Sequence, residues 1–76
     1  MNIYRRKSLH DIMEQLEELK TSLEELQEEE EEYHDNIPEN LQGSERYERA
    51  DEACGNIYDA VSYLEDAISS IVAATE

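Results

Sequence analysis

This chain has no Trp and no Phe, and only one Cys, one Pro and two Gly among its 76 residues. Without the two bulkiest aromatics, any core must be built from Leu, Ile, Val, Ala and Tyr. A lone cysteine, Cys54, excludes an intramolecular disulfide, and with it the stapled scaffolds of small secreted domains. No long apolar run is present. The longest nearly uncharged stretch, Ala67 to Thr75, is too short to span a bilayer and contains Ser69, Ser70 and Thr75. With no signal-peptide pattern at the start, the expectation is a reducing, cytoplasmic location. At this length the chain is one small domain, near the size at which a single core is marginal.

Cations are scarce as well. There are six Lys and Arg residues against 21 Asp and Glu, a formal net charge of -15. Arg5, Arg6 and Lys7 are half of those cations, so the rest of the chain carries -18, the total less those three. Self-repulsion on this scale opposes compaction and favours solubility. It also excludes recognition of nucleic acid or an anionic membrane by the main surface, since both are held by positive charge.

What the chain does have is two periodic apolar stripes. In the second half, Tyr47, Cys54, Val61 and Ile68 fall seven apart, as do Ala50, Ile57, Leu64 and Ile71. A third column, Ala53, Ala60, Ala67 and Ala74, is alanine at every step. Alternating steps of three and four are the signature of a helix that packs along its length. In the first half, Leu9, Ile12, Leu16, Leu19, Leu23 and Leu26 keep the same spacing and lead on to Glu30 and Tyr33. That stripe is two columns wide, as in a coiled-coil seam.

Residues 1–7 are expected to be a basic, solvated tail. Ser8, with Asp11 three residues later, is close to a capping box and predicts a first helix over about 8–34. Asp35 to Gly43 holds the only Pro and one of the two Gly residues, and predicts a turn. Pro38 can open a single helical turn there, with Ile37 and Leu41 plugging the end of the bundle. Ser44 caps a second helix over about 44–75.

Folding the chain back antiparallel with Tyr33 opposite Tyr47 puts Leu26 opposite Cys54, Leu23 opposite Ile57 and Leu19 opposite Val61. Leu16 then meets Leu64, Ile12 meets Ile68 and Leu9 meets Ile71. Glu30 faces Ala50, with Arg46 and Arg49 nearby. The expected fold is therefore all-α, an antiparallel helical hairpin. The alanine column, with Met13, Tyr58 and Val72, lies beside that seam and would be wet in a monomer. Burying it predicts a homodimer, a four-helix bundle. Gly55, inside the second helix, suggests close helix approach or a kink.

Chemistry-bearing patterns are few. Glu31-x-x-His34 has the spacing by which four-helix carboxylate proteins hold metals, with Glu48, Asp51 or Glu52 as further ligands in a dimer. Both residues lie off the expected seam, and a Glu-rich run followed by any His gives the same match, so no metal and no cofactor are expected. Cys54 reads as a small buried apolar residue. No glycine-rich phosphate loop, paired-cysteine motif or nucleophile turn is present, and no enzyme activity is expected.

The segment Asp35-Asn-Ile-Pro-Glu-Asn-Leu-Gln-Gly-Ser-Glu-Arg-Tyr-Glu48, followed by the Ala-rich helix, resembles a group of small acidic bacterial and phage proteins. Their two helices are joined through a Pro-Glu-x-Leu-Gln-x-Ser-Glu-Arg turn. The resemblance covers the second half of the chain. It implies a helical hairpin of mobile-element or genome-neighbourhood origin, with Ile37, Pro38, Leu41, Ser44, Glu45 and Arg46 organising the turn, and it transfers no catalytic residue.

The expected function is a non-catalytic interaction or structural module, a dimeric acidic hairpin that engages another protein through its acidic face or bundle surface; a basic partner suits that charge. Its expected contact residues are Glu28, Glu29, Glu31, Glu32, Ala53, Ala60, Ala67 and Tyr58. One alternative is an acidic inhibitor whose carboxylates imitate nucleic-acid phosphates at a basic site. Another is a carboxylate and histidine metal-binding bundle.

Overall fold

A computed structural model describes residues 1–76. Helix α1 spans Ile3–Asp35 and helix α2 spans Glu45–Thr75, joined by a short 3-10 turn at Glu39–Leu41. The two helices pack against each other as a hairpin, with no strand. The molecule measures 59 × 15 × 13 Å, with a radius of gyration of 17.3 Å. A globular chain of this length would have roughly 11 Å. It is a rod, and a rod of two helices has little interior. Only Ile37, Ala50 and Val61 are buried.

The expected tail is helical. Asn2, not Ser8, caps α1: its backbone is extended, and its side-chain oxygen accepts from the Arg5 N–H at 2.8 Å. Asn caps as well as Ser, and Ile3 to Lys7 contain nothing that stops a helix, so the first available cap wins. The three cations thus occupy the start of α1, and Glu28 to Glu32 and Asp35 its end. Both placements oppose the α1 dipole. Packing α2 antiparallel offsets this, because its positive N-terminus lies beside the acidic end of α1.

The turn is made without a left-handed residue. Asn36 closes α1 by donating to the Glu32 carbonyl at 3.0 Å. Pro38 accepts from Leu41 at 2.8 Å to form the 3-10 turn, and the Ser44 hydroxyl accepts from the Tyr47 N–H to start α2. Ile37 is buried at the end of the hairpin, whereas Leu41 is exposed.

The seam differs from the expected one by a rotation of α1. The half-buried residues of α1 are Leu9, Met13, Leu16, Lys20, Leu23, Gln27, Glu30 and His34. The column Leu9, Leu16, Leu23, Glu30 is as expected. Its neighbour is Met13, Lys20, Gln27, His34 in place of Ile12, Leu19, Leu26, Tyr33. Those last four are 47%, 60%, 54% and 42% exposed. The two columns flank the shared one on opposite sides, so the change is a turn of about 50° about the helix axis.

Tyr47 accordingly stacks on His34, with ring centroids 4.6 Å apart, and not on Tyr33. The polar seam residues are accommodated by their stems. Lys20 lays its chain across the seam and reaches Glu65 at 3.5 Å and Glu24 at 3.9 Å. Met13 is therefore part of the seam, not of the wet surface beside it.

Gly55 marks no close approach. A Cβ built on it would meet nothing within 4 Å, and α2 runs unbroken through it. The residue costs helix stability and gains no packing in return. Gly55→Ala is expected to stabilise the fold by about 1 kcal/mol, read as a higher midpoint in thermal melts followed by circular dichroism. A lower midpoint would mean that the position is covered in the working protein.

Candidate interaction surface

Because only one stripe of each helix is used in the seam, the functional residues are sorted by the side of the hairpin on which they lie. The first feature is an acidic ridge at the end of α1. Glu28, Glu29, Glu31 and Glu32 are exposed and form no ion pair, while Glu30 turns inward. Glutamate suits a helix, and these four face water with their charge uncompensated. The Glu31 carboxylate only accepts from Gln27, at 3.4 Å.

His34 lies in the seam, contrary to the expectation that it sits off it. Its Nδ1 is 3.1 Å from an Asp35 carboxylate oxygen, and its Nε2 is 3.2 Å from one of Asp51. Nε2 is shut off from water and its contact with Asp51 lies off the line of a hydrogen bond. His34 is thus an imidazole held between two carboxylates and stacked on Tyr47, which ties the last turn of α1 to the first turns of α2. Glu31 and His34 gain no third ligand, since no group of three or more His, Cys, Asp or Glu is placed to hold a metal ion.

On the opposite side at the same end, Arg46 donates from Nε to the Tyr33 hydroxyl at 2.6 Å and stacks over its ring, 5.2 Å from the centroid. Arg49 pairs with Glu45. With Glu30, Ala50 and Ala53 these residues line an open groove of about 550 Å³. A second groove, of about 400 Å³, lies on the other side along Glu17, Lys20, Thr21, Glu24, Glu65, Ile68 and Ser69.

Ala53, Ala60 and Ala67 are half-buried along the first side. Tyr58 and Val72 are exposed but do not share that side with them. They continue the Asp51 and Glu65 column of α2, seven residues at a time, on the side of His34 and Lys20. The residues that flank the alanines are Ile12, Leu19, Leu26 and Tyr33. The sequence signal for this exchange was weak: Met13 at seam spacing with the long-stemmed Lys20 and Gln27 and with His34.

No known protein family, characterised protein or solved structure matches this chain.

Burial in the seam, followed by the negative field of Glu30, Glu31, Asp51 and Asp35, pushes the Cys54 thiol above its ordinary pKa. The thiolate is the reactive form. Cys54 is therefore expected to react with a disulfide reagent more slowly than free cysteine at pH 8. Added salt, which screens the carboxylates, should narrow the difference. A rate equal to that of free cysteine would contradict this account.

Proposed function

We propose that this chain is a non-catalytic interaction module that works as a homodimer of acidic helical hairpins. The observation that carries the reading is exposed surface. The hairpin exposes 5827 Å², whereas a globular monomer of its mass exposes roughly 4,800 Å². With three buried residues and six large apolar side chains of α1 exposed (Ile3, Tyr4, Ile12, Leu19, Leu26 and Tyr33), a lone hairpin has too little core for independent stability. A second copy is the simplest source of the missing cover. The acidic ridge then lies outside the bundle, where it can engage a basic protein.

Sedimentation velocity is expected to give twice the 8.9 kDa mass of the chain, with helicity falling on dilution as the dimer dissociates. A stable, fully helical monomer across the accessible concentration range would refute the reading.

The unpaired state of Glu28, Glu29, Glu31 and Glu32 supports a second reading, an inhibitor that presents phosphate-like charge to a basic site. Such a complex with a nucleic-acid-binding protein should weaken steeply with salt. It should be lost when all four residues are changed to Gln, while the dimer is unaffected. Binding that survives the quadruple change would dispose of it.

A further inference from the structure

The two long sides of the hairpin are chemically unlike. On one, Lys20, Thr21 and Glu24 run beside Glu65 and Ser69, and the Lys20–Glu65 and His34–Asp51 pairs cross between helices. On the other, the column Ile12, Leu19, Leu26, Tyr33 runs beside the column Arg46, Ala53, Ala60, Ala67. The Tyr33–Arg46 bond and the groove shared by Tyr33, Arg46 and Ala53 tie the two together.

Immediately outward from this apolar pair of columns, three residues on, stand Gln15 and Ser22 of α1 and Asn56, Tyr63 and Ser70 of α2. None is charged. The first carboxylate outward on α1, Glu29, comes only at the turn end, where Arg46 and Arg49 lie. In a chain with 21 acidic residues, this is a long surface on which a second body of the same charge can come close. Beyond the turn end, where Glu30 and Glu45 line the groove, these columns offer a basic partner no carboxylate.

Resting on the dimer reading above, we infer that this side is the surface on which the second copy sits. Its twofold axis runs along the hairpin, so that turn lies beside turn. A rotation about the long axis exchanges left and right, and so lays α1 of one copy over α2 of its partner. The leucine column then faces the alanine column on both halves of the interface. The other face-to-face arrangement, with the axis across the hairpin, stacks leucine on leucine and alanine on alanine. That leaves a crowded strip beside an empty one, and interiors pack large against small at uniform density.

The levels agree as well. Tyr33 and Arg46 are bonded, hence level. Steps of seven from that pair bring Leu26 to the level of Ala53, Leu19 to Ala60 and Ile12 to Ala67. A twofold along the rod preserves level, so Leu26, Leu19 and Ile12 meet the partner's Ala53, the partner's Ala60 and the partner's Ala67. The area suffices: a face of 59 by 15 Å offers on the order of 900 Å², against about 800 Å² per partner in a standard stable interface.

The test is a charge exchange read by sedimentation velocity and circular dichroism. Leu19→Lys alone and Ala60→Glu alone should each weaken self-association about a hundredfold or more, because each buries an unpaired charge. Mixed in equal amounts, the two variants should recover a helical dimer, since the new ammonium and the new carboxylate come level across the interface. The mixture also answers for any loss of folding in the single variants. Tyr58→Lys, on the opposite side, should leave the dimer intact.

A dimer that survives Leu19→Lys but not Tyr58→Lys would overturn the assignment of this side and spare the dimer reading. Failure of the mixture to recover a dimer would overturn the lengthwise axis. A wild-type chain that is monomeric throughout would overturn both the inference and the reading beneath it, leaving this side to a foreign partner.

Discussion

Two helices lying side by side can cover only one stripe of each other, and everything else about this molecule follows from that geometric limit. Helices of 33 and 31 residues make a rod whose interior is a line and not a volume. Here α2 presents three adjoining apolar columns and α1 presents two plus Met13. The seam takes two columns from each helix. The longest apolar surface left over is the Ile12, Leu19, Leu26 and Tyr33 column on one side, while Tyr58 and Val72 stand exposed on the other.

Charge imposes the second limit. A net charge of -15 disperses over the outer faces of both helices, where water and salt screen it. Three of the six cations lie between the helices or beside the acidic end of α1. Arg46 and Arg49 stand where the acidic end of α1 meets the start of α2, and Lys20 bridges the seam to Glu65. The antiparallel arrangement also sets the acidic end of α1 against the positive pole of α2. Helix ends that would fray alone are thus held by their neighbours. The residues that do this, Tyr33, His34, Tyr47 and Asp51, give the turn end its side-chain order.

Much of this was legible in the residues. Apolar steps of three and four give two helices, Pro38 and Gly43 place the turn, and Ser44 is a cap by its chemistry and its position. Asn2 and Ser8 both have cap chemistry, and the three cations between them resemble a solvated tail, yet the helix starts at Asn2. Local sequence does not say which of two adequate caps is used first. A glycine inside a helix suggests a close neighbour, yet none approaches Gly55.

The sequence by itself determined the number of helices, the place of the turn, the antiparallel pairing and the charge that any partner must tolerate. These are set by local propensity and by periodicity, which each helix carries alone. Only the tertiary structure decided which way α1 faces. Leu9, Leu16, Leu23 and Glu30 belong to both possible stripes, and the choice between the Ile12 column and the Met13 column is a turn of about 50°. Such a rotation costs little in either helix taken alone. It is fixed by the neighbour: Tyr47 stacks on His34, Glu65 draws Lys20 inward, and Arg46 holds Tyr33 on the flank. Those contacts set the leucine column beside the alanine column, on the same open side of the rod.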